Sequence, residues 1–167
     1  MKIKIISVGI LFCIILSACT VQTEFDIYDF CQRYNKLSGE KILSTNDFLS
    51  DNENTLFCIM NIGQSTVLIT VSQNDNTSLN SVFVTAEKSK YNETDLPEVI
   101  NAVYRIFGAF NYGNEETAKE NLESVGFEND FKPFEDYFRC EKTKKYKITV
   151  YSNEFAFTVS QEKIDSD

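Results

Sequence analysis

Leu56-Phe57-Cys58-Ile59-Met60, then Asn61-Ile62-Gly63-Gln64, then Thr66-Val67-Leu68-Ile69-Thr70-Val71-Ser72 is the stretch that decides the fold. In the last segment Val67, Ile69 and Val71 alternate with Thr66, Leu68, Thr70 and Ser72, the period of two of a strand with one buried face. The first segment is apolar on both parities, which predicts a central strand covered on both sides. A short link containing Gly63 makes the pair an antiparallel hairpin. Turn chemistry at residues 73–78, with Asn74-Asp75-Asn76, leads into another strand over 81–87.

Working outward, helical periodicity brackets these strands. Ile27, Phe30, Cys31, Tyr34 and Leu37 form one apolar stripe, with Thr23 as the expected cap and Gly39 as the stop. Residues 41–43 read as strand-like and lead to a polar loop over 44–54. Asp95-Leu96-Pro97-Glu98 opens the strongest helix as a capping box, and Leu96, Val99, Ile100, Val103, Phe107 and Phe110 are its buried stripe. A shorter helix runs from cap Asn114 through Ala118, Leu122 and Val125 to Gly126. Residues 137–141, 146–151 and 155–159 read as a closing meander.

The expected class is therefore α+β: an antiparallel sheet of six or seven strands covered by about three helices, in the order α-β(3–4)-α-α-β3. A tandem α-β repeat is suggested by three echoes between the halves. Ile69-Thr70-Val71 matches Ile148-Thr149-Val150 at an offset of 79, Cys58 matches Cys140 at 82, and Arg33 matches Arg105 at 72. The layout is similar to the tandem helix-plus-sheet units of the β-lactamase-inhibitor-like fold, a likeness of layout that no motif carries.

The amino terminus reads as an address. Met1-Lys2-Ile3-Lys4 is positive, and residues 5–16 are apolar apart from Ser7 and Gly9. As a helix this run reaches ~18 Å, short of the ~30 Å hydrocarbon core, so it reads as a signal-peptide core over residues 1–18. It ends in Leu16-Ser17-Ala18-Cys19. That string resembles the lipobox of bacterial lipoproteins, and the resemblance implies cleavage before Cys19 and a diacylglyceryl group, with acyl chains such as palmitate, on its thiol. The expected location is extracytoplasmic, with the membrane as partner through that lipid, because two or three acyl chains hold a protein where one does not. Residues 19–22 are then the lipidated cysteine and a short tether, 23–161 a single domain, and 162–167 a frayed tail.

The chain has 167 residues, 43% apolar and 25% charged, with 25 acids against 16 bases and no histidine or tryptophan. An acidic excess of this size offers no field for nucleic acid. Without histidine, the commonest proton carrier near neutral pH and the commonest zinc ligand are both missing, and neither a metal nor a cofactor is expected. Cys13 leaves with the signal. Cys31, Cys58 and Cys140 read as packed small hydrophobes, with Cys31–Cys58 the first pairing that an oxidising compartment would allow. Asp47, Asp51 and Glu53 in the polar loop, and Glu115 with Glu116 at a helix start, read as solvated surface.

Arg139, Lys142, Lys144, Lys145 and Lys147 are the one basic concentration, on a hairpin. Phe127, Phe131, Phe134, Tyr137 and Phe138 crowd around Pro133, and Tyr112 beside Gly113 is a candidate to stack on sugar, a reading that the missing tryptophan weakens. The expected function is binding rather than catalysis, with another envelope protein as partner. Phe127, Phe131, Phe134, Lys144, Lys145 and the sheet face are the contact candidates. The alternative is a carboxylate-dependent hydrolase acting on cell-wall or glycan material, which needs two carboxylates facing each other across a cleft.

Overall fold

The computed structural model describes residues 25–52 and 54–164. After helix α1 (Ile27–Ser38) come strands β1 (Leu49–Asn52), β2 (Thr55–Ile62), β3 (Ser65–Gln73) and β4 (Leu79–Glu87). Helices α2 (Leu96–Phe110) and α3 (Glu115–Ser124) follow, then β5 (Tyr137–Lys142), β6 (Tyr146–Ser152) and β7 (Ala156–Lys163). The strands form one sheet in the order β1-β2-β3-β4-β7-β6-β5, antiparallel throughout. This is the expected α+β class.

The alternation of β3 sets which face is buried. Ile69 pairs with Cys58 on one side and Val84 on the other, Val84 pairs with Val159, and Val159 with Val150. All five are buried in a row across the sheet, and the three helices pack on that side. Apolar side chains repeated on every second residue can only be removed from water together, which fixes the register.

Each helix has a local reason to begin where it does. Asp26 caps α1, its side chain accepting from the Asp29 amide at 2.9 Å, and Gly39 ends it with φ +76°. Thr23, the cap expected from the sequence, lies outside the described residues. Asn114 caps α3 by accepting from the Thr117 amide at 3.1 Å. Between α2 and α3 the chains nearly touch: a β-carbon at Gly108 would lie 2.8 Å from Glu115 Cα. Buried polar groups stitch the layers. Asn111 at the end of α2 exchanges amide hydrogen bonds with Gln161 of β7, and the Tyr104 hydroxyl donates to the Phe127 carbonyl at 3.1 Å.

The two halves meet at β4 and β7, each the last strand of its own meander. Register equates Ile69 with Val150, since each pairs with the valine of the central couple, Val84 or Val159. The sequence echo with Ile148 is thus displaced by two residues, which keeps the parity. The cysteine echo does not survive. Cys58 pairs with Ile69 and Arg139 with Val150, so Cys140 points to the opposite face.

Several local expectations are corrected. Residues 41–43 form no strand, because Asn35 takes over their backbone: its side-chain oxygen accepts from the Ile42 and Leu43 amides, both at 2.8 Å, and its amide donates to the Leu43 carbonyl at 2.6 Å. The extra strand is β1. Glu162 and Lys163 are not tail but β7, paired with Ser81 and Lys147, and with Tyr146. Finally, β2 is not central. It lies second from the edge, and the described elements cover only one of its faces.

Candidate functional site

Leu16, Ser17, Ala18 and Cys19 lie outside the described residues. Of the aromatic contact candidates, Phe127, Phe131 and Phe134 are corrected: all three are buried. Their rings close one end of the core around Phe157, with Phe131 and Phe134 centred 5.6 and 5.7 Å from it. A side chain spent on that packing cannot also meet a partner. Lys144 and Lys145 are exposed in the β5–β6 turn. The Cys31–Cys58 bridge is not formed; both are buried free thiols, and Cys140 is an exposed one. Burial first, and then the neighbouring Cys58, pushes the Cys31 thiol up to about 12. Burial also raises Cys58. A thiol so strongly held protonated is a poor nucleophile.

The carboxylates are dispersed. Asp47 closes a short 3-10 turn by accepting from the Ser44 amide at 2.7 Å. Asp51 is exposed on β1, Glu116 is exposed and Glu115 half-buried at the start of α3, and Glu53 lies outside the described residues. Asp95, expected to cap α2, makes no cap bond. It reaches instead to the β2–β3 turn, accepting from the Gln64 amide and the Ser65 hydroxyl, each at 2.8 Å. Among the described residues it is the one buried carboxylate.

The largest unassigned feature is the side of the sheet that no described element covers. Register places Phe57 and Ile59 of β2 there, beside Thr66, Leu68, Thr70 and Ser72 of β3. Phe83 and Thr85 of β4 continue it, then Thr158 and Ser160 of β7, Thr149 and Tyr151 of β6, and Phe138 and Cys140 of β5. None carries a charge, in a chain one quarter charged. Ile59 is 65% and Phe138 64% exposed. Hydroxyls satisfy one another across the strands, as between Thr85 and Thr158 at 2.9 Å.

Charges appear only at the two ends. Glu87 and Lys90 stand at one, and the Lys147–Glu162 ion pair (3.5 Å) with Lys142 at the other. Near the first end Ile59, Thr66, Leu68 and Thr85 line a hollow of about 150 Å³, with Glu87 and Lys90 on its rim. An uncharged centre bearing aromatics, with charge confined to its margins, is the composition of protein interfaces. The sequence did hold this signal. Phe57 and Ile59 are the apolar residues on the second parity of β2, and the outward parity of β3 is threonine, leucine and serine where a solvated face would carry lysine and glutamate.

No family model, curated protein or solved structure matches this chain.

Proposed function

We propose that the protein is a lipid-anchored, extracytoplasmic binding module of the bacterial envelope that docks a different protein on the uncharged face of its sheet. The anchoring half of this reading is supported by Leu16-Ser17-Ala18-Cys19 and the charged and apolar segments before it. The binding half is carried by one observation: the continuous face from Phe57 to Phe138 that has no charge and that no described element covers.

Size agrees with this role. Seven strands about 4.8 Å apart and about 20 Å long present roughly 600 Å², close to the ~800 Å² that one partner contributes to a stable complex. A net charge of −9 opposes pairing with a second copy, so the occupant is a protein of different charge. It presents apolar side chains, one of them for the hollow at Leu68. The hydrolase reading has no comparable support, because Asp95 is committed to a turn.

Two measurements test the two halves separately. Cys19→Ser is expected to move the protein from the membrane fraction to the soluble one, and an intact mass without acyl groups on the wild type counts against anchoring. A photo-crosslinker at Leu68 is expected to give one discrete adduct in living cells, lost on Ile59→Lys, while one at Glu120 on α3 gives none. Equal labelling from both positions, or an adduct that persists in Ile59→Lys, removes the sheet face from consideration.

A further inference from the structure

The two edges of the sheet are built differently. β1 has four residues and a bulge between Ser50 and Asn52, two of the devices that keep an edge from recruiting another strand. At the other edge β5 has six residues in unbroken register with β6, and no described strand lies beyond it. The Thr143 amide donates to the Tyr146 carbonyl at 2.8 Å, which sets the alternation along β5. The backbone groups of Tyr137, Arg139 and Glu141 therefore turn toward β6, and those of Phe138, Cys140 and Lys142 face outward. An outward row of this kind is the template for one more antiparallel strand.

The charges of β5 select which strand fits. Arg139 and Glu141 stand opposite Val150 and Ile148, so both side chains lie on the helix side. Arg139 is exposed all the same, which shows that the helix layer stops short of this edge. Glu141 is held in place by the Ser124 hydroxyl at the end of α3, which donates to its Oε2 and leaves its second oxygen for another donor. An inward charge on an edge strand repels most newcomers. A second copy of β5 is the exception. With Cys140 opposite Cys140 of the other copy, Arg139 of each chain lies opposite Glu141 of the other. That pair exchanges no backbone bonds, so its α-carbons are only about 4.5 Å apart and the side chains meet. Moving the centre of symmetry by one residue in either direction sets Arg139 against Arg139, or Glu141 against Glu141.

The flanks agree with this register. Glu135 and Asp136 precede β5 and Lys144 and Lys145 follow it, so antiparallel pairing brings the acids of one copy to the lysines of the other. Residues 135–145 hold four bases and three acids. The net charge of −9 opposes stacking of copies face to face, but it is not seated on this edge, and salt screens charges more than about 8 Å away.

We propose that the protein forms a two-fold dimer by pairing β5 with β5 of a second copy, which joins two seven-stranded sheets into one. The two-fold axis stands perpendicular to the sheet, so both helix layers lie on one side and the two uncharged faces become continuous on the other. Six residues of strand bury less than the ~800 Å² that one partner contributes to a stable complex, so the dimer is weak in dilute solution. The dimer depends on neither the docking reading nor the anchoring reading.

The test traps the dimer at its centre. In this register the two Cys140 α-carbons lie about 5.5 Å apart, within the span of a disulfide. The full chain carrying Cys13→Ser and Cys19→Ser is treated with diamide, which takes up the two electrons and two protons released as two Cys140 thiols join. A disulfide-linked dimer is expected on a non-reducing gel, and none in Cys140→Ser. Arg139→Glu and Glu141→Arg, each alone, set like charges opposite one another twice, and each is expected to lower the yield about tenfold. The two substitutions together restore opposite charges and are expected to restore the dimer. No dimer from the parent chain, an equal yield in both single variants, or a double variant as poor as the singles overturns the proposal.

Discussion

The Asp95 carboxylate occupies the space that a side chain at Gly63 would need: a β-carbon there would lie 2.5 Å from Asp95 Oδ1. Gly63 also holds φ +59°, so the turn depends on glycine twice, once for conformation and once for room. Gly63→Ala is expected to cost about 1–2 kcal/mol for the left-handed backbone, and more for displacing a carboxylate that accepts two hydrogen bonds. Asp95→Ala alone is expected to cost about 1–3 kcal/mol. In the double variant only the backbone strain remains to be added, so the two costs are non-additive. Additive urea-unfolding energies would mean that the two residues do not meet.

Ile59 and Ile69 are chemically identical and sit on adjacent strands, one facing away from the helices and one toward them. Ile59→Lys is expected to change stability by no more than about 0.5 kcal/mol. Ile69→Ala is expected to cost about 2–5 kcal/mol. Urea unfolding of the two variants decides this. A core-sized loss for Ile59→Lys would show that its side of the sheet is covered in the folded protein.

Much of the fold was legible because its cause is local. The alternation of Val67, Ile69 and Val71 is the buried face, and Asn114 and Gly126 bracket α3 through bonds and φ angles that involve only near neighbours. What was not legible depends on distant partners. Asp95 has the spacing of a cap, but the Gln64 amide and Ser65 hydroxyl outbid the helix for its oxygens. Apolar residues on both parities of β2 predict double burial, whereas the described elements cover only the Cys58 parity and leave Phe57 and Ile59 on the other side. Phe127, Phe131 and Phe134 carried no local mark separating a core lid from a contact patch.

Tyr104 is buried and Tyr91 partly so, but among the described residues only the Tyr104 hydroxyl has a partner. Tyr104 donates to the Phe127 carbonyl, whereas the Tyr91 hydroxyl is buried without a partner among the described residues. Tyr104→Phe is expected to cost about 1 kcal/mol, and Tyr91→Phe to be neutral or stabilising, because it removes a polar group that is desolvated for nothing. Equal losses in denaturant unfolding would show that the Tyr91 hydroxyl has a partner after all.

The cysteines make the last prediction, one of accessibility and pH together. Cys140 is exposed and is expected to react with a thiol reagent at once. Cys31 and Cys58 are buried and wait for the fold to open, at rates more than about a hundredfold slower. Burial raises both buried thiols, Cys31 to about 12, so the folded chain keeps protons that the unfolded chain gives up above about 8.5. The stabilisation is therefore complete below about pH 8.5 and is lost as pH rises through the folded value. Tyr91 and Tyr104, also raised to about 12 by burial, act in the same direction above about pH 10. Urea midpoints are expected to begin falling between pH 8.5 and 10 from the thiols alone, and to fall more steeply beyond. Cys31→Ala should flatten the first part of that descent and leave the second. An unchanged curve in that variant would mean that the Cys31 thiol titrates alike in the folded and unfolded chains.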